Sequence, residues 1–423
     1  MKAKNTALFM LIAMVLLAGC SVKKAESVAA PEEVVLSDSE PSTPSIPTPA
    51  DEAEPSGGDE ALPADWPPSE AAAVPDITIE DLLALSTPTM SRQPAGLTAI
   101  AGTGGRGFRN GGFQEARFTL PNSLFVNPNG TVIVFDTYNN SLRTITADGT
   151  QTLVGFVEYY DEYGFPKGYY LDAALNKALL NRPADGVMNS KNNLFIADSG
   201  NHVIRVIRGD SVYTYSGSSA GYADGNHNTA KFNTPMAIAI DGNDNIYVAD
   251  TLNNSVRKID TSGNVTTVAG MSGIAGAIDG AANEARFRDP AGIAVSADGN
   301  VIYVADTGNH LIRKIENGIV TTIAGDINAA ATETPMGGFN NGAASSALFN
   351  LPRGLALADG VLYIADSANH MVRAITAAGK VVTIAGDGEP GLLNSPSGVS
   401  VGNKILYIAD TNSNQIKSMK LED

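Results

Sequence analysis

Residues 303–313 decide the fold, and they read Tyr-Val-Ala-Asp-Thr-Gly-Asn-His-Leu-Ile-Arg. An apolar run ends in Asp306, a short polar turn follows, and a second apolar run carries Arg313 seven residues after the aspartate. Runs rich in β-branched residues that flank a turn of Gly and Asn predict two strands joined by a tight turn. Similar text occurs five more times along the chain, so this stretch is one unit of a repeat.

The repeat units follow one another at intervals of 44 to 62 residues, a period typical of β-propellers and other repeat arrays. Each unit opens with an apolar residue three positions before a proline, continues to the aspartate, and places a cation seven residues later. The aspartates and their cations are Asp136 and Arg143, Asp198 and Arg205, Asp250 and Arg257, Asp306 and Arg313, Asp366 and Arg373, and Asp410 and Lys417.

Four short strands fit into each unit, and four antiparallel strands make one blade of a propeller. The sixth unit ends near Met419 without a fourth strand. Residues 97–102, Leu-Thr-Ala-Ile-Ala-Gly, match the strand that ends the other units, for example residues 322–325. The sequence therefore predicts an all-β, six-bladed β-propeller in which the N-terminal strand completes the last blade. Such closure removes the open sheet edges.

The strand-turn-strand text of residues 303–313 resembles the signature of the NHL repeat family, and the resemblance covers roughly residues 97–420. NHL propellers often serve as interaction domains, so the resemblance implies a non-catalytic binding module. Similar six-bladed propellers include gluconolactonase-like hydrolases and streptogramin lyases. A metal-dependent propeller hydrolase or lyase is therefore the alternative.

The N-terminus has the pattern of a secretory signal: a basic start, an apolar run over residues 6–18, and small residues before Cys20. The sequence Leu17-Ala-Gly-Cys20 resembles the bacterial lipobox, in which the cysteine becomes the lipidated first residue of the mature chain. Cys20 is also the only cysteine, so no intramolecular disulfide can form. We expect residues 1–19 to be a signal peptide and the mature protein to be extracytoplasmic and lipid-anchored at the cell membrane.

The segment that follows, residues 20–77, is rich in proline and acidic residues. Residues 21–76 contain 13 acidic residues and two lysines. Such a composition predicts a disordered, extended tether, followed by a short lead-in segment at 78–96 and the propeller at 97–423. The formal net charge of −17 argues against nucleic-acid binding.

The repeated side chains favour architecture over catalysis. A functional aspartate would occur in one blade, whereas this one occurs in all six. We expect each to accept hydrogen bonds from the backbone of the following turn and to pair with the cation of its blade. His202, His310 and His370 share one repeat position that carries asparagine in the other units. They should be spread around the ring, so no zinc site is predicted. No catalytic residue or cofactor is assigned, and calcium in the central channel remains open.

Binding residues are expected on the face that carries both the turns after the aspartates and the interblade loops. Long insertions lie at 156–177 and 326–347 on this face, and variable loops on a rigid scaffold commonly bind ligands. The predicted binding residues are Tyr159, Tyr160, Tyr163, Tyr169, Arg106 and Arg109. The alternative is that the tyrosines pack the loop onto the blades. The expected partner is a protein or an envelope glycan, bound by a monomer.

Overall fold

The computed structural model describes residues 96–421, apart from residues 128, 158–159 and 162–163. The predicted signal peptide, Cys20 and the tether lie outside this part of the chain, as do Tyr159 and Tyr163 of the predicted binding residues. Within the described residues, no helix has the length and apolarity needed to cross a membrane.

The described strands form six antiparallel sheets, one for each predicted unit. The N-terminal strand is β1 (Thr98–Ala101). The first blade contains β2 (Ser123–Val126), β3 (Val132–Asp136), β4 (Ser141–Thr146) and β5 (Gly149–Val154). The second contains β6 (Ala173–Ala174), β7 (Pro183–Met188), β8 (Leu194–Asp198), β9 (Val203–Arg208) and β10 (Ser211–Gly217). The third contains β11 (Gly225–Asn226), β12 (Pro235–Ile240), β13 (Ile246–Asp250), β14 (Ser255–Ile259) and β15 (Asn264–Ala269).

The remaining blades repeat this plan. The fourth contains β16 (Gly280–Ala281), β17 (Gly292–Val295), β18 (Val301–Asp306), β19 (Leu311–Glu316) and β20 (Ile319–Ala324). The fifth contains β21 (Gly342–Ala343), β22 (Pro352–Ala358), β23 (Val361–Asp366), β24 (Met371–Ile375) and β25 (Lys380–Ala385). The sixth contains β26 (Gly398–Gly402), β27 (Ile405–Asp410), β28 (Gln415–Lys420) and β1.

Each blade has four main strands, and the strand after the proline is the innermost and lines the central channel. The two-residue strands β6, β11, β16 and β21 come from interblade loops and pair with the outermost strand of their blade. A helix, α1 (Ile327–Ala330), lies in the second long insertion. Short 3₁₀ turns follow the aspartates at Thr137–Asn139, Ser199–Asn201, Thr251–Asn253, Thr307–Asn309, Ser367–Asn369 and Thr411–Ser413, and a further one spans Ala344–Ser346.

The ring closes as the sequence predicted. Strand β1 pairs antiparallel with β28, with Thr98 opposite Ser418 and Ala101 opposite Ile416. This places the N-terminal strand at the outer edge of the sixth blade, where it supplies the missing fourth strand.

The apolar core is divided into six clusters, each of which lies between two neighbouring blades. The apolar residue that precedes each proline by three positions enters one of these clusters. Phe287, for example, is fully buried among Tyr247, Val256 and Ile302 from the third and fourth blades. Its equivalents are Phe118, Leu180, Phe232, Phe349 and Leu393, and all are buried. Packing between blades therefore holds the ring together.

Candidate functional site

Every blade contains a buried ion pair between its aspartate and the cation on its third strand. In the fourth blade, Nη1 of Arg313 lies 2.7 Å from Oδ2 of Asp306, and both side chains are fully buried. The equivalent pairs are Asp136–Arg143 at 3.0 Å, Asp198–Arg205, Asp250–Arg257 and Asp366–Arg373 at 2.8 Å, and Asp410–Lys417 at 2.7 Å. The predicted ion pair within each blade is confirmed, and the repeated aspartate is architectural.

The other hydrogen bonds of the aspartates differ from the prediction. The side chain of Asp306 accepts no hydrogen bond from the backbone of the following turn. Its Oδ1 accepts instead from the backbone N–H of Arg288, at 2.7 Å, and its Oδ2 accepts from Nδ2 of Asn309, at 2.8 Å. The carboxylate points into the blade toward Arg313, so the preceding interblade loop supplies the backbone donor. Burial raises the pKa of Asp306 to about 6, although Arg313 and these donors lower it.

Two hydrogen bonds from each turn fasten a blade to the next one. In the fourth blade, Oγ1 of Thr307 donates to the carbonyl of Pro352, at 2.6 Å, and Nδ1 of His310 accepts from the N–H of Leu351, at 2.9 Å. The equivalent hydroxyl donors are Thr137, Ser199, Thr251, Ser367 and Thr411. The equivalent acceptors are Asn140, His202, Asn254, His370 and Asn414. We call each such pair of hydrogen bonds an interblade latch.

The latch assigns an architectural role to the three repeat histidines. Each uses Nδ1 as an acceptor toward the next blade, and burial lowers the pKa of all three imidazoles, which favours the neutral form that can accept. They lie in separate blades, and the described residues contain no group of three or more His, Cys, Asp or Glu side chains placed to hold a metal ion.

The latch also accounts for a ring of unusual backbone conformations. The residue immediately before each proline donates the N–H of the latch, and in every blade it has a positive φ, between 47° and 56°. The residues are Leu120, Arg182, Thr234, Asp289, Leu351 and Ser395. Left-handed backbone is strained for residues other than glycine, and strain of this kind is often found at functional sites.

Aromatic residues of the interblade loops cover several of the buried arginines. The ring centroids of Tyr170 and Tyr222 lie 4.8 and 4.6 Å from the guanidinium carbons of Arg205 and Arg257. Phe108 and Phe339 are placed in the same way on Arg143 and Arg373. Tyr170 therefore packs its loop onto the second blade, as the alternative interpretation of the tyrosine-rich loop expected.

The predicted binding residues are only partly brought together. Tyr160 is 60% exposed, and its backbone bridges to Pro166. Tyr169 is half-buried, and its N–H donates to the carbonyl of Leu180. The side chain of Arg106 is exposed, and its guanidinium carbon lies 5.7 Å from the ring centroid of Phe165.

Arg109 contributes to the fold through its backbone, and its predicted role in binding stays a prediction. Its side chain is exposed, while its carbonyl accepts from Nη2 of Arg143, at 2.7 Å. The part of Arg109 that the structure engages is therefore the backbone, which contributes to the buried polar network of the first blade.

We call the face of the propeller that carries the turns after the aspartates and the interblade loops the turn face. A cluster of arginines and aromatic residues lies on it, at the end of the channel. The rings of Tyr138 and Phe165 are 5.4 Å apart, and the guanidinium carbon of Arg182 lies 5.0 Å from the Tyr138 centroid. We call the following residues the mouth cluster: Arg106, Tyr138, Phe165, Arg182, Asp289 and Arg353.

Arg353 is the most buried member of the mouth cluster. It follows Pro352 at the start of the innermost strand of the fifth blade, and its side chain is 9% exposed. Tyr138, in the first blade, and Asp289, in the fourth, both influence its charge electrostatically, and burial lowers its pKa. Arg353 belongs to the fifth blade and Tyr138 to the first, so this interaction joins two blades that are not neighbours in the ring.

The channel has a volume of about 230 Å³ and is lined by the innermost strands of the blades. Among its described lining residues, the one ionisable side chain is Asp185. Its Oδ2 accepts from the N–H of Ile238, at 3.0 Å, and Ser123 also donates to its carboxylate. Removal from water raises the pKa of Asp185 to about 6. Calcium takes about six to eight oxygen ligands, and among these described lining residues Asp185 supplies the one carboxylate.

Sequence reasoning missed the main members of the mouth cluster. Arg353 occupies a position where the other blades carry Asn122, Ala184, Met236, Ala291 and Ser397. A large cation that replaces small or neutral residues at one repeat position was a signal in the sequence.

Comparison with known proteins agrees with this architecture. A family model described as the NHL repeat matches residues 287–315, in the fourth blade. The chloroplastic protein SUPPRESSOR OF QUENCHING 1 of Arabidopsis thaliana is 31% identical over 301 residues, which is 66% of this chain and 27% of that protein. NHL repeat-containing protein 2 of Homo sapiens is 26% identical over 320 residues, which is 66% of this chain and 42% of that protein. The chain thus spans well under half the length of these curated relatives.

Solved structures share the fold at low identity. An auxiliary nutrient binding protein from Bacteroides ovatus superposes with a TM-score of 0.54 at 14% identity, covering 77% of this chain and 76% of that chain. A protein of unknown function from Bacteroides thetaiotaomicron superposes with the same TM-score and coverage at 18% identity. The six blades show that the chain is a β-propeller, and the repeat match in the fourth blade and these relatives show its similarity to NHL-repeat proteins.

Proposed function

We propose that the protein is a lipid-anchored, extracytoplasmic binding module that presents the turn face of its propeller to a ligand of the cell envelope. The observation that supports this most directly is the contrast between repeated and unrepeated polar residues. The repeated polar residues form the ion pairs and the interblade latches. The side chains of the mouth cluster do not recur in the other blades, and they lie on one face.

The proposed anchor rests on the sequence. The Leu-Ala-Gly-Cys pattern ending at Cys20 supplies the lipid attachment, and the acidic, proline-rich residues that follow supply reach from the membrane. Metabolic labelling with palmitate tests the attachment. The full chain should incorporate label and partition into the membrane fraction, and Cys20→Ser should do neither. Equal labelling of both chains would contradict the anchor.

The binding role is tested by substitutions on opposite faces. A thermal-shift screen of envelope glycan fragments and small envelope metabolites should find a ligand. A ligand at 100 times its dissociation constant adds about 2.7 kcal/mol of stability. Tyr160→Ser combined with Arg106→Gln should reduce that shift. Lys191→Gln combined with Arg208→Gln should leave it unchanged. Both control residues are exposed at the opposite face, Lys191 in the turn after β7 and Arg208 at the end of β9. Equal effects of the two pairs would contradict binding on the turn face.

One observation favours a second candidate, a propeller hydrolase or lyase. Asp185 belongs to one blade only, lines the channel, and has a pKa raised to about 6, a value suited to proton transfer near neutral pH. Its carboxylate already accepts hydrogen bonds from Ile238 and Ser123, which also suits a structural group. Asp185→Asn separates the two roles, because it should abolish turnover of any lactone or ester substrate and leave ligand binding at the mouth cluster intact.

A further inference from the structure

We propose that the mouth cluster binds the carboxylate or phosphate group of its ligand through the guanidinium of Arg353. This inference rests on the proposed binding function and names the chemical group that the turn face recognises.

Arg353 is a buried cation without a paired anion. The five other deeply buried arginines each form an ion pair with the aspartate of their blade. Within the described residues, Arg353 forms none, and its Nε has no hydrogen-bond partner. Burying a charge without a partner is costly. An incoming anion would relieve this cost, so the site is prepared for one.

The carboxylate of Asp289 favours the charged form of Arg353 electrostatically, but it does not form an ion pair with it. Asp289 is influenced by two cations, Arg288 and Arg353, and burial raises its pKa. Its neighbour Arg288 is partly engaged, because Nε donates to Asn309 and Nη2 donates to the carbonyl of Thr332. The mouth cluster itself contains three arginines, Arg106, Arg182 and Arg353, and one aspartate, in a protein whose overall charge is strongly negative.

The surroundings of Arg353 indicate what the rest of the ligand looks like. The rings of Tyr138 and Phe165 lie at 59° to each other, and Arg182 and Arg106 are placed over them. Aromatic faces provide contact area for an apolar or sugar ring, and a planar guanidinium matches a carboxylate or phosphate through two parallel hydrogen bonds. The ligand class is thus a compact molecule or chain end that carries an anion beside a ring.

The ligand-free protein gives a first test. Replacing Arg353 with glutamine removes the unpaired charge, so Arg353→Gln should melt at the same temperature as the wild type or higher. An architectural arginine would behave in the opposite way. Arg313→Gln is the matched comparison, because it leaves Asp306 without its partner and should melt clearly lower. A comparable loss of stability in Arg353→Gln would overturn the proposal.

Anion binding gives the second test, by calorimetry at low salt with inorganic phosphate, galacturonic acid and neutral galactose as probes. We expect saturable binding of phosphate or galacturonic acid and none of galactose. The dissociation constant should rise roughly tenfold or more in Arg353→Gln and stay unchanged in Arg208→Gln on the opposite face. Comparing phosphate with galacturonic acid shows whether the site prefers a phosphate or a carboxylate group.

The outcomes also separate this inference from the binding function on which it rests. An envelope ligand that depends on Tyr160 and Arg106 but binds Arg353→Gln as tightly as the wild type would overturn the anion site and leave the binding module standing. Binding of neither anion to the wild type would also overturn the anion site. If Arg353→Gln loses binding of both the anion and the envelope ligand while Arg208→Gln keeps both, the anion site is supported.

Discussion

Removing residues 97–102 should destabilise the whole propeller, because these residues close the ring. The loss includes the β1–β28 ladder, the buried side chain of Ile100, and the hydrogen bond from Nε2 of Gln415 to the carbonyl of Gly102, at 3.1 Å. Burial of an isoleucine contributes about 1.5–3 kcal/mol, and three or four hydrogen bonds contribute about 1 kcal/mol each. The sum is about 5 kcal/mol, which is comparable with the total stability of many domains.

The assay compares thermal unfolding of a chain that starts at residue 103 with that of a chain that starts at residue 96. We expect the shorter chain to melt roughly 10 °C lower or more and to aggregate, since the edge of β28 would be exposed. The longer chain should melt with the full-length protein. Equal melting temperatures for the two chains would refute the closure account.

Four further predictions follow from single side chains. Phe287→Ala should cost about 3–5 kcal/mol in chemical denaturation, because it empties part of an interblade cluster; a loss under 1 kcal/mol would contradict that packing. Asp306→Asn should cost about 3 kcal/mol, because it removes the fully buried partner of Arg313 and leaves only the partly exposed Asp279 to pair with it; an unchanged midpoint would argue against the ion pair. The lowered pKa of His310 means that its stabilising effect is present above pH 6.5 and is lost as the pH falls. His310→Asn introduces the residue that three other latches carry, so it should reduce the loss of stability at acidic pH. An unchanged dependence of stability on pH would count against the latch. The raised pKa of Asp185 has the opposite effect on stability, because the free energy of unfolding falls as the pH rises from about 4 to about 6. Asp185→Asn should remove this decline of roughly 3 kcal/mol. An identical pH profile for the variant would show that the pKa of the carboxyl is not shifted.

The fold was predictable because the same strand and turn pattern recurs in all six units of the repeat. The run that ends in Asp306 and the cation seven residues later fixed both central strands of a blade, and the Thr-Ala-Ile-Ala text after Leu97 identified the strand that closes the ring. Local patterning is sufficient for such features, because strand alternation and turn chemistry are set by neighbouring residues.

The polar partners were less predictable because they come from distant parts of the chain. The donor to Asp306 is the N–H of Arg288, and the acceptor for the N–H of Leu351 is His310 in the preceding blade. Sequence reasoning assigned the aspartate to its own turn, since it considered only near neighbours. The same limit hid Arg353, whose environment is assembled from Tyr138 and Asp289 in other blades.

Hydrogen–deuterium exchange with a ligand from the thermal-shift screen reports whether ligands bind on the turn face. We expect added ligand to slow exchange in residues 103–117, 164–182 and 326–351, which form the interblade loops around the mouth cluster. Exchange in residues 189–193 and 208–211, in turns of the opposite face, should stay unchanged. Protection confined to the opposite turns would contradict the account.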